Sequence, residues 1–490
     1  MHTDGFAADG TAPLRGRAYY LHADGDDRNK GGRDDPWKSL GRVAGLRLRP
    51  GDSLLFAGGQ TFHGTLLIAA GNGGEVGRPV LIGSYGKGAA TIHGGDSSAL
   101  ILSRCDYLLV RNLQLAGNGR KDGNVKDGLS MIECRHIDID TLNISGFQKS
   151  GLFLYSSSGV HIAHVYAHDN GAAGIAVEGE HKKSAVDIRI TDCRAENNPG
   201  DPTNLNNHSG NGIVVGHCTN VLIQHCAATN NGWDMPRIGN GPVGIWCYEA
   251  DSVTIRHCLS YRNKTSVGGA DGGGFDLDGG VTHSVIEYCL SYGNQGSGYC
   301  LFQYFGASPW HNNIIRYNIS EDDGTVSDSR AGIYVWNSSG DAGQFHDCLV
   351  YNNTIYNSRE AAISFSELSV RKGFFYYNNI FVGGDSLIRG DKGKDVFSGN
   401  DWWLLRPGGV QGSTELFLDP FFRKPGHTRI ESIEGLASFD GYRIGIHSPL
   451  RSGGIDLRHL PGAHGAAGPG TGKGDLSGRP VPVRGIGASF

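Results

Sequence analysis

ITDCRAENN (residues 190–198), IQHCAATNN (223–231), IRHCLSYRN (255–263), IEYCLSYGN (286–294) and IRYNISEDD (315–323) are one pattern written five times. A single column of that pattern holds Cys193, Cys226, Cys258, Cys289 and Asn318, at steps of 33, 32, 31 and 29 residues. Asn353 in NNTIYN and Asn379 in NNIFVG continue it. Like side chains recurring at a near-constant step mark stacked coils with a ladder up the interior. A second strand type alternates with the first. It begins LFLY at Leu152, IAVE at Ile175, IVVG at Ile213, IWCY at Ile245, FDLD at Phe275, YCLF at Tyr299, IYVW at Ile333 and ISFS at Ile363. Nearly all of these follow a glycine, and their first and third positions are apolar. No 3.6-residue period is sustained, so helices are not expected. The chain reads as all-β: a parallel β-helix of roughly eleven coils over 80–387. An N-terminal segment and cap fill 1–79, and C-terminal coils and a closing segment fill 388–490. Open ends expose unpaired strand edges, so caps are expected at both.

Composition agrees. Of 490 residues, 78 are glycine and only 17 are proline, which suits many tight turns between short strands and excludes collagen. A net charge of −5 with no basic run argues against nucleic acid as a partner. No apolar run is long enough to span a bilayer. Met1 to Gly10 shows no apolar signal-peptide core. The ten cysteines lack Cys-x-x-Cys spacing, so a buried thiol ladder is favoured over a metal site. Nothing in the sequence fixes an oligomeric state; the expectation is a monomer or an unknown oligomer.

Alternate strand residues face opposite sides. If positions 1 and 3 point inward, positions 2 and 4 form an outward row. That row contains Trp246, Tyr248, Asp276, Asp278, Phe302, Tyr334, Trp336 and Glu178. Aromatics suit the apolar faces of sugar rings, and carboxylates suit hydroxyls or cleavage. Asp276 and Asp278 share one strand face with Cα atoms about 6.6 Å apart, and close carboxylates push their pKa values apart. They are the expected acid/base or nucleophile pair, with Glu249 one coil away as the third catalytic candidate. Glu178, Trp246, Tyr248, Gln303, Tyr334, Trp336, Arg330 and His208 are expected to bind substrate. Two other readings of the aspartates stand beside this one: turn chemistry, or a calcium site with Asp271 from the preceding loop. No cofactor is required; calcium is the one that could be used. The expected partner is a polysaccharide or oligosaccharide.

The N-terminal LRPGDSLLFAGGQTFHGTL (48–66) and the tail DLSGRPVPVRGIGASF (475–490) resemble secreted β-helix carbohydrate-active proteins. They imply a right-handed, single-stranded helix of the pectate-lyase-like superfamily, secreted or periplasmic. ADGGGFDLDGGVTHSVIEYCLSYGNQGSGYCLF (270–302) resembles family 9 pectate lyases. That family carries its catalytic lysine at the fourth strand position, which here is Asp278. Its acidic calcium ligands before the next strand are replaced by Asn294, Gln295, Gly296 and Ser297. The resemblance therefore implies glycan cleavage but not the lyase mechanism. Glycoside hydrolysis is favoured, β-elimination on a uronic-acid glycan is the alternative, and a non-catalytic glycan-binding or adhesin β-helix is the second alternative.

Overall fold

The computed structural model describes residues 16–326, 330–367, 369–404, 415–459 and 474–490. Met1–Gly10, read above for a signal core, lies outside them. Among the described residues no helix is long and apolar enough to cross a membrane.

The expected stack is present. Every named strand pairing is parallel, and the strands form a 24-stranded and a 12-stranded sheet. The register of the smaller sheet follows the alignment read from sequence. Leu152, Ile175, Ile213, Ile245, Phe275, Tyr299, Ile333, Ile363 and Ile388 pair in succession. All of these but Ile388 are buried in one continuous core, with their third-position partners such as Cys247 and Leu277. Register is strict because a one-residue slip would turn this entire apolar set outward.

The stack is longer than the expected 80–387. It opens at Ala18–Leu21, which pairs with Ser53–Ala57, and it closes at Asp401–Leu404. The early strands are spaced unevenly, so they lack the step that reveals the later coils. Trp37, Leu40 and Val43 join the core at the first coil.

Two ladders run up the interior. All ten cysteines are buried and unpaired. In the expected column, the Cys289 N–H donates to Asn318 Oδ1 at 2.9 Å, and Asn318, Asn353, Asn379 and Asn400 continue side chain to side chain. The glycosylation-like Asn318-Ile-Ser and Asn352-Asn-Thr are accordingly buried. A second ladder, not anticipated, joins Asn170, Asn198, Asn231, Asn263 and Asn294 and ends on Asp323. Each amide donates to the next side chain, so buried polar groups are satisfied coil by coil. Corner residues before both ladders have left-handed backbone, among them His225 (φ 52°), His257 (φ 49°) and Tyr288 (φ 55°).

The glycines that precede the apolar strand positions serve close packing. A Cβ on Gly244 would lie 2.0 Å from Ser260 Oγ, and one on Gly274 would lie 2.2 Å from Ser291 Oγ. These residues sit within strands, so their glycine is required by the approach of the opposite sheet rather than by a turn.

At the end of the stack Leu416 bridges Asp401 in parallel, and its N–H donates to the Asn400 carbonyl at 2.8 Å. Much of the remaining described C-terminal segment lies along the flank of the larger sheet. Glu321 accepts from Thr428 N and Oγ1 and from the Tyr442 hydroxyl, and Leu436, Tyr442 and Leu476 pack with Leu259, Leu290 and Tyr292.

Candidate active site

The outward row of the smaller sheet pairs Val214 with Trp246, Trp246 with Asp276, Asp276 with Cys300, and Cys300 with Tyr334. The row is not an open, solvated face. The loops 199–210, 232–242, 264–272 and 303–309 fold over it, and Trp246, Phe302 and Tyr334 are buried. What remains is a cavity of about 510 Å³. On one side stand Trp246 and Tyr248, 5.3 Å apart between ring centroids; on the other, Phe302, Tyr334 and Trp336 form an edge-to-face group. Asp271, Asp278 and Tyr304 also line it, with His208, Asn207 and Asn240 from the covering loops. Trp246, Tyr248, Tyr334, Trp336 and His208 are thus brought together as expected. Tyr304 and the two asparagines were not anticipated. They lie on loops, where alternation gives no signal. Only Gly279 hints at how tightly the Tyr304 loop is seated, because a Cβ there would lie 2.4 Å from Tyr304 Cε1.

The carboxylates are distributed differently from expectation. Asp278 is half-buried on the cavity wall, just past the strand Gly273–Leu277. Its Oδ1 accepts the Gly279 N–H at 2.7 Å. Burial pushes its carboxyl up to about 7, against that hydrogen bond. Asp276 is 2% exposed and does not line the cavity. Its Oδ1 is buried with no hydrogen-bond partner, and burial, then Asp278 and Asp271, hold its carboxyl well above the usual range. It is a neutral acid behind the wall. Asp271, read from sequence as a possible calcium ligand, lines the cavity, and its Oδ2 accepts the Gly241 N–H at 2.6 Å. Among the described residues no three His, Cys, Asp or Glu side chains are grouped to hold a metal ion.

Other expected site residues have structural partners. Glu249 Oε1 accepts the Ser308 N–H at 2.7 Å, and its Oε2 lies 4.0 Å from Lys182 Nζ, which donates to Gly280 O at 2.6 Å. It fastens the loops beside the cavity and does not line it. Gln303 is fully buried between Gly280 N and Ser308 O, because strand position 5 faces inward. Glu178 accepts from the Tyr248 hydroxyl and pairs with His217, so it orients Tyr248 from behind. Arg330 is exposed and does not line the cavity; its carbonyl accepts from Arg389 at 2.9 Å. Asn294, at the lyase calcium-ligand position, is a buried rung of the second ladder, and Gln295 caps the Thr265 N–H at 2.9 Å.

The model of a family described as "Pel9A-like, right handed beta helix region" matches residues 19–330. No curated protein matches the sequence. Among solved structures, GH136 lacto-N-biosidase from Eubacterium ramulus is 18% identical, with a TM-score of 0.54 over 80% of this chain and 68% of its own. The mannuronan C-5 epimerase AlgE6 A-module of Azotobacter vinelandii is 14% identical, with a TM-score of 0.53 over 73% of this chain and 91% of its own. The Dettilon tailspike protein is 14% identical, with a TM-score of 0.50 over 78% and 69%. These likenesses are of fold.

Proposed function

The chain belongs to the Pel9A-like right-handed β-helix family, and on that scaffold we propose that the cavity hydrolyses a glycosidic bond of a polysaccharide or oligosaccharide. The observation that carries this reading is Asp278. It is a carboxyl raised to about 7 on the wall of an aromatic-lined cavity, facing a space it shares with a second carboxylate, Asp271. A carboxyl that keeps its proton near neutrality can donate to the departing sugar oxygen. Asp271 supplies the other carboxylate, either as the base for water or as the nucleophile. Trp246 and Tyr248 on one side, and Tyr334 and Trp336 on the other, offer ring faces to sugars. Asp276 stands behind the wall, off the described cavity lining. A polysaccharide substrate implies an extracytoplasmic site of action.

β-Elimination is the weaker reading. It requires a base and a cation to neutralise a uronate. The described lining contains no lysine or arginine, and its only histidine, His208, is lowered to about 4 by burial and by Arg237.

The deciding experiment is a glycan panel, run with and without a chelator, on the wild-type chain and on Asp278→Asn and Asp271→Asn. Hydrolysis predicts a product carrying added water, without ultraviolet absorbance, and a loss of about 10²- to 10⁴-fold in either variant. An unsaturated product selects the lyase. Binding without turnover selects a non-catalytic glycan-binding β-helix.

A further inference from the structure

We infer that His208 sets the specificity of this cavity: its imidazole is fixed as the Nε2–H tautomer and donates to an acceptor oxygen of an uncharged sugar seated against Trp246. The inference rests on the glycan reading above and narrows its substrate class.

The tautomer follows from the partners of Asn211, a buried residue. Its Oδ1 meets two groups that can only donate, Val243 N at 3.3 Å and Trp246 Nε1 at 3.0 Å. Its Nδ2 meets a group that can only accept, Ala172 O at 3.2 Å. The amide orientation is therefore set from both sides. The same Nδ2 lies 2.9 Å from His208 Nδ1. An amide nitrogen has no lone pair to offer, so Nδ1 must accept, and the ring proton resides on Nε2. A doubly protonated ring would set two N–H groups against each other.

Among the described residues Nε2 has no hydrogen-bond partner, and His208 lines the cavity. Its ring meets that of Trp246 edge-to-face, with centroids 4.8 Å apart, so a sugar against the tryptophan lies within the donor's reach. The charges around the space oppose an anion. Asp271 and Asp278 line it, and Arg237, the nearest cation felt by His208, bonds the Asn240 side chain. A uronate carboxylate would be buried beside two carboxyl groups with no lysine or arginine among the described lining residues, whereas a hydroxyl, ring or acyl oxygen finds a neutral donor.

The test has two arms on the full-length chain. Long-range ¹⁵N–¹H correlation of the labelled protein, without substrate, is expected to show His208 with a bare Nδ1 and a protonated Nε2 from about pH 5 to 8. An Nδ1–H or doubly protonated ring overturns the inference whether or not any glycan binds. In the second arm, uncharged and uronate-containing oligosaccharides are compared on wild type, His208→Gln and His208→Leu. The expected result is a KM raised about 3- to 12-fold in the leucine variant with kcat unchanged, restoration by the glutamine amide, and no turnover of uronates. Equal KM in the leucine variant, or preference for uronates, overturns it. If no glycan binds wild type, the cavity reading falls and the inference with it, while the ring pattern in the first arm stays measurable.

Discussion

Asp276 and Asp278 are two residues apart, yet only one of them faces the cavity. The sequence correctly shows their shared strand face, because alternation is a local property of extended backbone. Which of the two reaches substrate depends on covering loops that carry no periodic signal, and so does the arrival of Asp271. This assignment makes a contrast. Asp276→Asn replaces one neutral, buried group with another and is expected to keep kcat/KM within about threefold, while Asp278→Asn loses about 10²- to 10⁴-fold. A large loss in Asp276→Asn, measured beside the folded state by circular dichroism, would return Asp276 to the chemistry. The pH profile gives a second check. The acid must be protonated to act, and its carboxyl is raised to about 7, so kcat/KM is expected to fall as pH rises through about 7. A flat profile from pH 6 to 9 would remove Asp278 from the acid role.

At the scale of the element, the thiol column is legible in the sequence because cysteine is scarce and its step nearly constant. The parallel asparagine ladder is not, although its residues stand in plain view, for instance Asn231 and Asn263, since asparagine is common at turns. The asparagine rungs of the two ladders bond in the same way, side chain to side chain. Asn231→Ala would leave the Asn198 N–H and amide without their acceptor. A loss of roughly 2–4 kcal/mol on denaturant unfolding is expected. Asp323 ends the ladder, and burial raises its carboxyl to about 7. Its folded value lies above the unfolded one, so the native state holds the proton longer. Stability therefore falls as pH rises between about 4 and 7 and stays lost above. Asn263 and Asn294 donate to Ser260 and Ser291, and an asparagine at 323 would donate to Ser320 in the same way. Asp323→Asn is thus expected to raise the thermal midpoint at pH 8 and leave it nearly unchanged at pH 4. Equal shifts at both pH values would contradict the raised carboxyl.

For the whole molecule, the repeat predicted the β-helix, and pattern alone could not say where it ends. The first coils are irregular in length, and the tail's route along the flank follows from side chains such as Tyr442 that meet partners more than 100 residues away. Those long-range bonds tie the segment 428–442 to the middle coils. Tyr442→Phe removes a hydroxyl donated to a buried carboxylate at 2.6 Å, and a loss of about 2 kcal/mol in unfolding free energy is expected. If stability is unchanged, the flank segment is not fastened there.

Trp246, Asp276, Cys300 and Tyr334 occupy the same slot in four successive coils. The sheet behind the cavity is therefore graduated like a ruler, with marks about 4.8 Å apart. Such a site cannot be widened by degrees along the stack. It gains or loses room for a sugar only by whole coils, so inserting or deleting one repeat between Trp246 and Tyr334 would change the length of glycan accommodated in a single discrete step.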